Sequence, residues 1–370
     1  MMNFIFSLMV GPHPISMGSA YNAYAERVDG IFFNPSAASM ASRVMIGGFY
    51  SQVGYYGGGI VIPNRFISIG LAGSIDTTRN GMIYGVLARN FSGFNIGLGI
   101  QYPYTSDTSS NKNSKFHIYS GFSFYFSDYF MFGFTAENLD TPNALSLRFG
   151  IQLANYPLPV IGRNLAMTMD LNSTFARNVK SQDLASIGFE LDPFYPLFLR
   201  FGYNYSPNDS IVKHKIPAGL GLIYVYNTVD ILGDISVNDI KAESKNKIWT
   251  FGLTVKFFGH TVWAESSPKI IEVLPEAEAS VTKICFRYIL PSKVSRWTFN
   301  ITNRWGKIYK TYWGDGPPPS ECIYWHVVDE EGKYVGKGVY YYDFIVKTED
   351  GKIYKRRGGL VNVKKGVKGI

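Results

Sequence analysis

Ile248-Trp249-Thr250-Phe251-Gly252-Leu253-Thr254-Val255-Lys256-Phe257 is the stretch on which the fold turns. Trp249, Phe251, Leu253, Val255 and Phe257 fall on one side of an extended chain, and Thr250, Gly252, Thr254 and Lys256 on the other. Such period-two alternation makes a β-strand with one apolar and one polar face. Alone, it closes a β-barrel or adds one more strand to a sandwich.

Thirteen earlier runs decide between the two. Alternating stretches fall at 43–50, 54–63, 66–75, 82–90, 93–101, 116–127, 129–137, 145–153, 164–172, 184–191, 197–205, 217–226 and 228–237. Most are long enough for a tilted bilayer crossing, which takes about 9–11 residues, whereas sandwich strands are mostly nearer five or six. Connections give an independent test. Those at 64–65, 127–128 and 227–228 are tight, while 102–115, 173–183, 206–215 and 238–247 are longer and polar. The tight first connection at 51–53 and the longer one at 154–163 break the rule. Short turns at one end and long loops at the other mark an outer-membrane barrel. An even strand number places both barrel ends, and whatever follows, on the periplasmic side.

Composition agrees. The 370 residues include 26 Tyr, 27 Phe and 38 Gly, and no run of eighteen apolar residues offers a transmembrane helix. Through Phe258 there are 18 Lys and Arg against 16 Asp and Glu, and after it 18 against 12. The first part is therefore poor in charge for its length, and most of the net +8 sits in the tail. Outer-membrane lipid is the expected surrounding of the first part, and nucleic acid is not an expected partner of an exported chain.

Placing the apolar faces toward lipid turns the polar faces inward. His117, Glu137, Arg148, Asp170, Glu190 and Arg200 then line a lumen, with Asp230, Asp234 and Lys256 beside them. Two readings stand: a structural network of mutually neutralising charges, favoured because an unpaired buried charge is costly, and a solute pathway. Residues 1–10 read as a signal-peptide remnant without a basic n-region, or as a short buried strand. The Gly/Ala/Ser-rich part of 11–42 reads as compact irregular structure or short helix. From 268 the pattern changes to shorter strands, at 280–290, 296–302, 306–312, 322–328, 338–348 and 352–363, with turn signals between them. This spacing predicts a small β-sandwich over 268–370, joined by a linker at 259–267. Cys285 and Cys322 both fall in it, as a disulfide or as two buried thiols.

Two family resemblances follow from particular residues. Ile15-Ser16-Met17-Gly18-Ser19-Ala20-Tyr21-Asn22-Ala23-Tyr24-Ala25-Glu26, followed by Ile31-Phe32-Phe33-Asn34-Pro35-Ser36-Ala37, resembles the N-terminal plug of PorV/PorQ and FadL-like barrels. The resemblance implies a plug, with Gly18, Asn34 and Pro35 as its motif, ahead of a 14-stranded transmembrane β-barrel. Thr282 to Pro291, Trp297 to Ile301 and Gly336 to Tyr342 resemble a FlgD-like immunoglobulin-type module, which implies an adhesive or structural role. The fold class is thus all-β: a plugged outer-membrane barrel over 11–258, then an Ig-like domain in the periplasm.

No catalytic or cofactor signature competes. His13, His117, His214, His260 and His326 have no metal-ligand spacing, and neither a nucleophile elbow nor a phosphate-binding loop occurs. The expectation is a non-enzyme without metal or cofactor. Two functions remain: a PorV-type scaffold for a secreted or surface protein, whose tail docks periplasmic partners, and a FadL-like passive conduit for a hydrophobic ligand.

Overall fold

The computed structural model describes residues 12–17, 20–23, 27–64, 66–91, 94–104, 115–126, 130–141, 144–158, 163–176, 184–194, 196–207, 213–226, 229–273, 281–303 and 305–365. The signal-like stretch 1–10 and Gly18 lie outside them. The chain forms two compact units, the first made of most of the chain up to Phe258 and the second of the chain from Gly259 on together with short pieces at 158–163 and 225–228.

In the first unit the alternating runs become strands β1 (Arg43–Ser51), β2 (Tyr55–Ile62), β3 (Ser68–Asp76), β4 (Gly81–Phe91), β5 (Phe94–Tyr104), β6 (His117–Tyr125) and β7 (Phe130–Glu137). They continue as β8 (Ala144–Leu158), β9 (Arg163–Ala176), β10 (Leu184–Phe194) and β11 (Leu197–Tyr205). The two-residue β12 (His214–Lys215) precedes β13 (Ala218–Tyr226), β14 (Val229–Val237) and β15 (Trp249–Gly259). Each strand pairs with its sequence neighbours, β11 pairs with β13 past the β12 fragment, and β1 lies beside β15. The ring is therefore closed. Among the described residues fourteen strands form it, with β12 as a short addition on β11. The seam joins the two ends of the unit, and near it the Gln52 amide donates to the Trp249 carbonyl at 2.8 Å.

Closure leaves no open strand edge in the ring, which is the condition for a sheet to sit in hydrocarbon. The outward faces match. Leu71, Leu98, Phe149, Leu171, Phe201 and Leu222, on β3, β5, β8, β9, β11 and β13 around the ring, are each 43–62 % exposed. A soluble protein seldom shows so continuous an apolar band, whereas a membrane-spanning barrel requires one. The expected longer connection at 154–163 is corrected: β8 runs on to Leu158 and β9 begins at Arg163. Tyr156-Pro157-Leu158 has no apolar–polar alternation to show it.

The second unit carries two sheets. One is β16 (Thr261–Ser267), β18 (Thr282–Ile289) and β21 (Ile323–Trp325) in the order β16-β18-β21. The other is β17 (Ile270–Val273), β19 (Val294–Asn303), β20 (Ile308–Asp315), β22 (Gly338–Thr348) and β23 (Ile353–Lys365), ordered β17-β23-β22-β19-β20. Both contribute to one core in which Ile284, Phe299, Trp325, Phe344 and Val346 are fully buried. Phe286 meets Phe299 edge-on at 5.0 Å between ring centroids, a geometry aromatic pairs favour. The disulfide Cys285–Cys322 ties β18 to the residue before β21, with Cα atoms 4.2 Å apart.

The linker expected at 259–267 is corrected. Thr261–Ser267 is strand β16, paired along its whole length with β18. Its inward residues Val262, Ala264 and Ser266 are small, so the strand buries little apolar area and gives a weak periodic signal.

Candidate functional site

The barrel interior is the site, and the described residues of the stretch 12–42 occupy it. Pro12–Ser16 forms one helical turn, and Val28–Phe32 and Pro35–Ser39 form two 3-10 turns. Asn34 starts the last of these: its side-chain oxygen accepts the Ser36 amide at 3.0 Å, and Pro35 takes the first helical position, where no amide donor is needed. The Asn-Pro pair thus has a local structural cause.

Contacts of the segment run right around the ring. Ile31 sits where a side chain on Gly70 of β3 would have to be, and the backbone of Pro35 does the same at Gly97 of β5. Ser36 donates to Ser123 of β6 at 3.1 Å, and Thr135 of β7 donates to Asn22 at 2.7 Å. Thr168 of β9 donates to the Ala20 carbonyl at 2.7 Å. Met17 fills the space above Gly188 of β10, and Ser16 that above Gly219 of β13. A segment that meets strands on every side of a closed ring lies within it.

Its two flanks differ in chemistry. Toward β10, β11 and β14 the contacts are ionic. Arg200 of β11 is 0 % exposed; its Nε donates to Glu190 of β10 at 2.5 Å and its guanidinium donates to Asp234 of β14 at 2.6 Å. Asp234 also receives Arg27 of the segment, and Glu190 lies 3.1 Å from His13 Nε2. The Tyr21 hydroxyl donates to Asp29 at 3.2 Å. Charges buried this deeply persist only when paired, and the segment supplies part of the pairing.

Toward β1–β4 the contacts are apolar. Val28, Ile31 and Phe32 pack with Met45, Phe49, Val61, Tyr84 and Val86 in one buried cluster. Phe32 meets Tyr84 edge-on at 4.8 Å and Phe49 at 6.4 Å. The cluster spans the height of the barrel wall. Phe49 and Tyr55 stand near the β1–β2 turn, whereas Met45, Val61 and Ala88 stand toward the opposite end.

The six sequence-selected lumen residues separate into distinct places. Glu190 and Arg200 form the core of the ionic cluster. Arg148 pairs with Glu137 at 3.0 Å, and its guanidinium also lies over the Phe33 ring at 5.4 Å. Asp170 accepts the backbone amides of Tyr21 at 2.8 Å and Asn22 at 2.7 Å, so it holds the segment by its main chain. His117 stands apart at the first position of β6, 3.2 Å from Asp140 in the turn after β7, and both are partly exposed. It is not brought to Asp170. His13, Asn22, Arg27 and Asp29 were not singled out as site residues by sequence; the signal was there in Glu26, Arg27 and Asp29, three charges close together in a stretch from 11 to 42 that has no other Lys, Arg, Asp or Glu. Among the described residues no cluster of His, Cys, Asp and Glu has the makings of a metal site.

Fold and site together define a membrane-spanning β-barrel whose interior holds its own N-terminal segment. No protein-family model and no curated protein matches the chain. Among solved structures it is similar to the Ralstonia pickettii toluene transporter TbuX, at 10 % identity, TM-score 0.47, and coverage of 67 % of this chain and 98 % of that one. It is also similar to the Pseudomonas putida toluene transporter TodX (10 %, 0.43, 65 % and 95 %) and to the Acinetobacter baumannii outer membrane protein Omp33 (12 %, 0.38, 59 % and 99 %). Likeness at this level says nothing of what this chain itself carries.

Proposed function

We propose that the barrel is a passive conduit for apolar small molecules across an outer membrane, with residues 11–42 as its plug. The observation that carries this reading is the asymmetry of the interior. The plug is fastened by ion pairs and hydrogen bonds toward β5–β14 and meets β1–β4 through apolar side chains. Loosening the apolar flank costs no buried charge its partner. It would open a path lined by Met45, Phe49, Val61, Tyr84 and Val86, a wall that favours an apolar solute over a hydrated one. The chemistry is partition and diffusion, with no catalytic step.

The test is influx of a fluorescent apolar dye into cells whose intact outer membrane excludes it. Expression of the full chain should raise influx several-fold over an empty vector, and deletion of residues 11–42 should raise it further. A folded, membrane-inserted barrel that leaves influx unchanged in both forms would falsify the conduit.

The second reading is a scaffold of PorV/PorQ type, with the two-sheet domain as an Ig-like periplasmic docking module. The observation favouring it is the module itself, since diffusion through a barrel has no need of one. Cross-linking of intact cells that recovers a secreted or periplasmic protein through residues 268–370, with dye influx unchanged, would put this reading first.

A further inference from the structure

One face of the five-stranded sheet carries an arrangement that neither reading uses. On β19, Trp297, Phe299 and Ile301 point into the core, which turns Arg296, Thr298 and Asn300 outward. Cross-strand register then sets two outward rows. The first runs Asp315, Arg296, Lys347 and Ile353 across β20, β19, β22 and β23. The second runs Trp313, Thr298, Ile345 and Lys355. Trp313 is 62 % exposed, and the Arg296 guanidinium lies 5.6 Å from its ring centroid. Arg296 and Lys355 are exposed as well.

Arg296 stands between Asp315 and Lys347 in its row, so the row carries two cations to one carboxylate. An indole this exposed, with Arg296 beside it, offers an apolar plate against which the C–H face of a sugar ring can stack. Thr298 and Ile345 lie between it and Lys355 in the second row. Asp315, in the same row as the cations, would repel a purely anionic lipid surface, but it accepts hydrogen bonds from sugar hydroxyls. Charge complementarity and the exposed indole together select the partner.

We propose that this face binds a polysaccharide bearing carboxylates, with Trp313 stacked on a sugar ring, Arg296 and Lys355 paired with carboxylates, and Asp315 accepting hydroxyl hydrogens. The location of such a polymer, the periplasmic cell wall, rests on the topology reading above; the chemistry of the face does not.

The experiment is co-sedimentation of the full-length protein, in detergent, with purified insoluble peptidoglycan. The wild type should pellet at low salt and be released by about 0.5 M salt, where screening is nearly complete. Trp313→Ala and the double variant Arg296→Gln/Lys355→Gln should each lower the bound fraction about fivefold or more, while Trp313→Tyr keeps most of it. A protease-resistant tail fragment of unchanged size shows that the variants are folded. The proposal is overturned if the wild type stays in the supernatant, if the variants pellet as it does, or if phosphatidylglycerol vesicles displace it from the glycan. Protease accessibility of the tail in intact cells is scored separately: a surface-exposed tail that still pellets with the glycan overturns the topology and leaves the face standing.

Discussion

Arg200 is the residue on which the interior depends. It joins Glu190 and Asp234, and through them His13 and Arg27 of the plug. Arg200→Gln leaves the buried Glu190 without its main partner and Asp234 with Arg27 alone, a loss of about 3–5 kcal/mol. Thermal unfolding of the purified barrel in detergent, followed by its heat-modifiable gel mobility, should show a clearly lowered midpoint. An unchanged midpoint would mean that the cluster is solvated and not structural. Gly97 tests the opposite kind of contact. A Cβ there would run into the backbone of Pro35 and Ser36, which has no flexible side chain to move aside. Gly97→Val should therefore displace the plug and raise dye influx, with barrel stability little changed because the strand itself favours Val. If influx is unaltered, the plug does not control passage at this point.

At the scale of elements, the barrel strands were legible from alternation, whereas a segment filling the interior was expected only from a family resemblance. Alternation is a local property: each strand must present one face to hydrocarbon and one to the interior, so the pattern is written residue by residue. Strand β16 escaped because its inward residues are as small as Ala264 and Ser266. The disulfide was left open by sequence, since pairing depends on register; β18 and β21 align Ile284 with Ile323, which brings the neighbouring Cys285 and Cys322 together. Closing a loop of this length typically contributes about 2–4 kcal/mol. Replacing both cysteines by Ser should lower the unfolding midpoint of the second unit and leave that of the barrel unchanged. A shift in both transitions would show that the two units do not unfold separately.

The whole molecule divides at Phe258 and Gly259. Truncation after Gly259 should leave a barrel that still folds and shifts on heating, because the ring and its seam are complete without the tail. Truncation after 267 keeps β16 without β18, its partner, and exposes Val262; that form should aggregate more than the shorter one. Removing Trp249–Gly259 instead takes away the strand between β14 and β1, opens the ring, and should abolish insertion. A chain lacking β15 that still inserts as a heat-modifiable barrel would contradict the assigned seam.

The stretch at 248–257 by itself stated a strand with two unlike faces, and thirteen similar stretches fixed the class of fold, the strand number and the direction of each face. These follow from the solvent on either side of the wall, which acts on neighbouring residues. Only the tertiary structure decided how the segment inside the barrel is held. Arg27 meets Asp234 across 207 residues of sequence, and Asp170 holds Tyr21 across 149. No local pattern records such a pairing, because its energy depends on two distant groups being buried at the same place.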